Sequence, residues 1–184
     1  LISDSYKNII TNNKKSFKSI FFILLVQYNN KMQEKRRLAI RKRAKYSLSC
    51  GVVIFNINKK KPEYLLVKYP TYWGFVRGRV EPGETEELTA FREALEEAGL
   101  GELIFVPGFR ETVSYFFKRD NEIIRKDDVY LLAKANTWNV KLSHEHEDIK
   151  WCSYERALSL LKHKAIKDIL NKAHFMIQTH MKIW

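Results

Sequence analysis

The stretch from Gly78 to Leu100 constrains this chain more than any other. It reads Gly78-Arg79-Val80-Glu81-Pro82-Gly83-Glu84, then seven residues, then Arg92-Glu93-Ala94-Leu95-Glu96-Glu97-Ala98-Gly99-Leu100. Advancing about 100° per residue from Leu88, the apolar Phe91, Ala94, Leu95 and Ala98 fall within roughly 120° of arc, the width of a core-facing helical stripe. Glu93, Glu96 and Glu97 fall together within about 100° on the other side. The spacing predicts one helix that buries its apolar stripe and presents three carboxylates at i, i+3 and i+4. Pro82-Gly83 is a turn signal before it, Gly78 offers a point of close backbone approach to a ligand, and Gly99 ends the helix as a C-cap glycine.

Three clustered anions repel one another unless a cation sits among them. Hard oxygen donors favour Mg²⁺ or Mn²⁺, and Mg²⁺ keeps several waters while binding a few carboxylates and substrate phosphates. A metal and polyphosphate site is one reading of the carboxylates; a solvated acidic helix face is the other, and the three glutamates alone leave both open.

The longer pattern adds a resemblance. Gly78, five residues, Glu84, seven residues, Arg92-Glu93, an apolar slot filled by Ala94, one free position, Glu96-Glu97, one free position, Gly99 and apolar Leu100 is similar to the signature of the Nudix hydrolases at every specified position. The resemblance implies an α/β/α sandwich around a mixed sheet, with the motif forming a loop-helix-loop that binds Mg²⁺ or Mn²⁺. It also implies hydrolysis of a nucleoside diphosphate linked to another moiety.

A second segment, Leu142-Ser143-His144-Glu145-His146-Glu147-Asp148-Ile149-Lys150-Trp151-Cys152, resembles one in the diadenosine tetraphosphate hydrolases of the Nudix group. Trp73 and the turn Val80-Glu81-Pro82-Gly83-Glu84 are also similar to that group. The resemblance implies asymmetric cleavage of diadenosine tetraphosphate to ATP and AMP. It places Glu145 in the metal centre with Glu93, Glu96 and Glu97. On an extended segment Glu145 would face away from His144 and His146. A zinc site built on the His-Glu-His run lacks a closed ligand set. Glu93, Glu96 and Glu145 all remain candidates for the general base. Arg92 is expected to fix the catalytic loop by pairing with a carboxylate such as Glu84. Arg77, which takes the place of a lysine common in the group, and Arg79 flank Gly78 and could hold phosphates. Trp73, Tyr115 and His163 are the candidates for contact with substrate, by stacking on a base or near the polyphosphate. His163 falls where a stacking tyrosine occurs in the animal-type enzymes, and histidine stacks more weakly.

Other functions stay in view. One is a Nudix pyrophosphohydrolase acting on nucleoside triphosphates or on 5′-triphosphate or capped RNA; another is a non-catalytic nucleotide-binding module.

The rest of the chain reads as one α/β or α+β domain over 47–184. Strands are expected at Ser49–Ile57, Tyr64–Tyr69, Leu103–Phe117, Val129–Ala133 and Ile149–Cys152, and helices at Tyr154–Lys162 and Ala165–Met176. Residues 1–46 are expected to form a basic, disordered extension. Residues 1–47 hold twelve Lys and Arg against Asp4 and Glu34, whereas residues 48–184 hold 21 against 19. Such an arm suits RNA or an anionic surface, or stays solvated. The apolar run Ile20–Val26 is too short to span a membrane, and the residues after it lack a small-residue cleavage site. Met32 is the first methionine, so residues 1–31 are a candidate over-extended translation, a point that intact mass would test. Cys50 and Cys152 make no disulfide framework and fit a reducing cytoplasm. A monomer is expected.

Overall fold

The computed structural model describes residues 26–40 and 43–180. The expectations for Ile20–Leu25 and for most of the amino-terminal extension lie outside the described residues. The chain divides into two compact units, one of Leu1–Lys45 with Arg119–Ile123 and one of Tyr46–Lys118 with Ile124–Trp184. In the first unit, residues 26–40 form a helix, α1, exposed at every position, where the sequence suggested no regular structure. Lys45 and Glu122 form an ion pair at 2.7 Å between exposed side chains.

The second unit is built on a mixed sheet. Its strands are β1 (Lys45–Asn58), β2 (Lys61–Lys68), β3 (Trp73–Gly74), β4 (Val76–Arg79), β5 (Leu103–Arg119), β6 (Glu122–Ala135) and β7 (Asp148–Ser153), with helices α2 (Glu86–Ala98), α3 (Tyr154–Leu160) and α4 (Lys164–His180). The sheet runs β3-β2-β1-β6-β5, with β4 against β1 and β7 against β2. The β1–β2, β1–β4, β2–β3 and β2–β7 pairs are antiparallel, and a parallel bridge joins Trp73 to Leu161.

Alternation along the strands explains the layers. Val53 and Phe55 of β1, Tyr64 and Leu66 of β2, and Tyr130 and Leu132 of β6 pack in one core with Ala157 of α3 and Ile169, Leu170, Ala173 and Ile177 of α4. The intervening Cys50, Val52, Ile54, Leu65, Val67, Val129 and Leu131 pack on the other face with Ala90, Ala94 and Ala98 of α2. A strand buried on both faces must be apolar at consecutive positions, which is why β1 reads as an unbroken run. Helices cover both faces, as the expected α/β/α sandwich requires.

The β1–β2 hairpin turns on Lys59 and Lys60 alone, both with positive φ, at 46° and 67°. Two consecutive left-handed residues are what a two-residue hairpin demands, but lysine adopts that conformation at a cost. Lys61 and Pro62, which precede the strand expected to start at Tyr64, already belong to β2. Lys60→Gly is therefore expected to stabilise the fold by about 1 kcal/mol. Thermal melting by circular dichroism checks this, and a lower midpoint in the variant would contradict it.

Candidate active site

The predicted helix is α2. Thr85 caps its start by accepting a hydrogen bond from the Leu88 N–H, and Gly99 ends it at φ 69°. The buried face differs from the expectation. Thr89, Ala90, Glu93, Ala94, Glu97 and Ala98 are buried, whereas Leu88 and Leu95 are about half exposed. The buried arc is turned by roughly 100°, one residue's step, from the apolar stripe. Three alanines let the helix lie close to the sheet, and partners for Glu93 and Glu97 allow carboxylates to take the place expected of leucines.

Those partners come from β4 and from Arg92. Just before β4, Phe75 joins the α3–α4 core, and Val76, the first residue of β4, joins the α2 core. Continued alternation sends the Arg77 side chain to the α4 side, and Gly78 faces α2. A Cβ at Gly78 would overlap the Glu93 carboxylate, so glycine is needed for that carboxylate to fit. The Arg77 backbone N–H donates to Glu97 Oε2 at 3.2 Å.

Arg92 ties the loop to the helix. Its Nε and Nη2 donate to the two oxygens of Glu84 at 2.7 and 3.0 Å. Its Nη1 donates to Glu93 Oε1 at 2.6 Å and Glu96 Oε2 at 3.1 Å, and Nη2 also reaches the Arg79 carbonyl at 3.0 Å. The pairing with Glu84 is the one the sequence suggested. It holds the Glu84 carboxyl well below the usual range, at about 2.

Burial pushes Glu97 up to about 8, with the Glu93 charge adding to it. Burial also raises Glu93, against the lowering effect of Arg92. His146 Nε2 lies 3.1 Å from Glu97 Oε1, but neither ring nitrogen makes an aligned hydrogen bond among the described residues. Desolvation holds His146 below its ordinary value, so it favours the neutral form and gives Glu97 little cationic relief.

Glu93, Glu96 and Glu97 line a cavity of about 620 Å³ together with Arg77, Gly78, Arg79, Ser143, His144 and Glu145. Glu145 thus joins the three helix glutamates. The alternation expected of its segment does not hold, because residues 144–145 form a turn. Ser143 Oγ accepts from the Glu145 N–H at 3.3 Å. The turn leaves His144 and Glu145 on the same cavity while His146 is buried. No three His, Cys, Asp or Glu side chains among the described residues close a metal shell on their own. The donor set nonetheless fits a hard divalent cation: all the acids are oxygen donors, burial and a neighbouring acid's charge both raise the two buried ones, Glu93 and Glu97, and waters and phosphates complete a Mg²⁺ shell.

On the other side of Arg77 lies a second cavity, of about 410 Å³. Trp73, Tyr115 and His163, all expected at the site, line it. So do Tyr69, Tyr72, Asp128 and Tyr130, which sequence reasoning missed. The Tyr69 and Tyr72 rings stack at 4.7 Å, and Tyr72 meets the His163 ring edge at 6.0 Å. The Arg77 guanidinium sits 5.9 Å above Tyr69. Burial, and then the charge of Asp128, pushes the Tyr115 phenol up to about 12. The signal for Tyr69 and Tyr72 was the tyrosine-rich run Tyr69-Pro70-Thr71-Tyr72 just before Trp73; Asp128, inside a run of strand residues, gave none.

Comparison with known proteins agrees with this geometry. The NUDIX domain model matches residues 45–173. The chain is 31% identical over 139 residues to the asymmetrical bis(5′-nucleosyl)-tetraphosphatase of Sus scrofa, covering 68% of this chain and 92% of that one. It is 34% identical over 130 residues to the Caenorhabditis elegans protein of the same name, covering 67% and 91%. A crystal structure of a C. elegans Ap4A hydrolase binary complex superposes with a TM-score of 0.65 at 32% identity, covering 72% of this chain and 98% of that one. The acidic helix, its arginine-locked loop and these likenesses lead to one assignment: the chain belongs to the Nudix family of hydrolases.

Proposed function

We propose that this enzyme hydrolyses dinucleoside polyphosphates, cutting diadenosine tetraphosphate asymmetrically to ATP and AMP with Mg²⁺ or Mn²⁺. The observation that carries the reading is the sharing of Arg77 by two cavities, one acidic and one aromatic. A polyphosphate needs the first and a base needs the second. The named activity of the similar pig and nematode proteins supports the choice of substrate.

Glu93, Glu96, Glu97 and Glu145 would hold the cation, which when bound supplies charge neutralisation at phosphate oxygens and a water of lowered pKa. Arg92 keeps Glu93 and Glu96 aimed at the cavity through its two Nη1 contacts. One of Glu93, Glu96 and Glu145 takes the proton from the attacking water, a role typically worth about 10²–10⁴-fold. Arg79, at the cavity rim, and the Gly78 backbone border the path of the phosphates. Trp73, Tyr115 and His163 offer ring faces and edges to the base. Both cysteines are free and buried, which suits a reducing cytoplasm. No helix among the described residues is long and apolar enough to cross a membrane.

The purified protein with Mg²⁺ is to be offered diadenosine and diguanosine tetraphosphate, nucleoside triphosphates and triphosphorylated RNA, with products resolved by chromatography. ATP and AMP in equal amounts from diadenosine tetraphosphate are expected. Faster turnover of triphosphorylated RNA would give the basic arm the deciding role and overturn the dinucleotide assignment. No turnover of any substrate would leave a binding module.

A further inference from the structure

Asp128 is a carboxylate only 4% exposed, set in the wall of the aromatic cavity. A buried charge is costly unless donors surround it. Here donors from three strands converge. Tyr115 Oη of β5 donates to Oδ2 at 3.1 Å. Arg77 Nη1 of β4 lies 3.4 Å from both carboxylate oxygens, and Lys126 Nζ of β6 lies 3.6 Å from Oδ1. Arg77 extends the chain of contacts: its Nη2 donates to Tyr72 Oη at 3.0 Å, and its backbone N–H donates to Glu97. One carboxylate therefore connects groups that border both cavities.

We infer that Asp128 is a positioning residue that fixes the Arg77 guanidinium, which borders both cavities, and the Tyr115 hydroxyl in the wall of the aromatic one, so that both meet a nucleotide in a set geometry. The inference rests on the reading that a polyphosphate passes Arg77. It also makes a prediction opposite in sign to simple electrostatics. A carboxylate near a polyphosphate repels it, so removing that charge should tighten binding if Asp128 only offsets neighbouring cations. If Asp128 positions Arg77 and Tyr115, removing it loosens both and weakens binding although the cleft becomes more positive.

The test uses the full chain and two variants. Asp128→Asn keeps the shape and removes the charge; Asp128→Glu keeps the charge and moves the carboxylate by one methylene. The quantities are kcat and KM for the substrate best turned over by the wild type, and the calorimetric Kd of a methylene-bridged, non-hydrolysable dinucleoside tetraphosphate. Asp128→Asn is expected to raise KM and Kd about tenfold, with kcat held within roughly twofold. Asp128→Glu is expected to weaken binding as well, and it carries the test if the asparagine variant melts below the assay temperature. Tyr115→Phe removes one of the contacts that Asp128→Asn weakens, so the two effects should sum to less than their separate values. Tighter or unchanged binding in a folded variant, or additive effects, would overturn the inference. A wild type that binds the analogue but cleaves no dinucleotide would defeat the proposed function alone, and the change in Kd would still decide Asp128. A wild type that does neither would overturn both.

Discussion

Glu97→Gln is expected to lower turnover roughly 10²–10⁴-fold while leaving the fold intact. Glutamine fills the same space and can still accept the Arg77 N–H that now reaches Glu97 Oε2. What it lacks is the charge, in a cavity where Glu93, Glu96 and Glu145 are the other acids. A second readout separates this role from packing. Without metal, the Glu97 carboxyl titrates near 8 against an ordinary 4.5, chiefly because it is buried. A group with a raised folded pKa contributes stability that is complete below its unfolded value and is lost as pH rises through the folded one. The metal-free wild type should therefore melt lower at about pH 9 than at about pH 6, and the glutamine variant should lose much of that decline. Added Mg²⁺ should raise the wild-type midpoint most at the alkaline end, since the cation takes the ionised form. Near-normal turnover in the variant, or wild-type and variant melting curves that fall in parallel with pH, would count against the assignment.

Gly78→Ala should be nearly as damaging by a different route. The alanine methyl would overlap the Glu93 carboxylate, which is buried and gripped by Arg92 at 2.6 Å. Moving it aside breaks that contact and shifts the neighbouring Glu96 pairing. A displacement of about 1 Å at such a group costs on the order of 10²-fold in rate, whereas overpacking costs about 1–3 kcal/mol of stability. The expected signature is a large fall in kcat with a modest fall in melting temperature. Gly101→Ala serves as the control, because a Cβ there meets only Leu95 at an ordinary 3.8 Å. Full activity in Gly78→Ala would show that Glu93 can leave its position without consequence, and so would remove it from the catalytic set.

Much of this was legible from local pattern. The helix, its glycine cap and the Arg92–Glu84 pair depend on residues within a few turns of one another, where spacing sets geometry directly. The strands expected from apolar runs overlap β1, β2, β5, β6 and β7, whereas β4, with Arg77 and Gly78, shows no such run. The errors arose where a local rule met a tertiary contact. The wheel of α2 assigned leucines to the core, but Arg77 and Arg92 satisfied Glu93 and Glu97 and let the acids occupy that face. His144, Glu145 and His146 were read as an extended alternation, but hydrogen bonds to Ser143 made a turn. The two-residue strand β3 is too short for any periodicity to register.

The sequence by itself determined that an acidic helix follows a glycine turn, and that its spacing is the Nudix one; both are matters of consecutive residues. It also named all four acids that line one cavity, Glu93, Glu96, Glu97 and Glu145. Only the tertiary structure decided how Gly78 to Leu100 is used: which glutamates are buried, that Gly78 makes room for a carboxylate, and that Arg77 divides an acidic cavity from an aromatic one. Those outcomes depend on β4 and β6 flanking β1, with β5 beyond β6, which brings together residues 51 positions apart in the chain, Arg77 and Asp128, and a contact of that range leaves no period in the sequence to read.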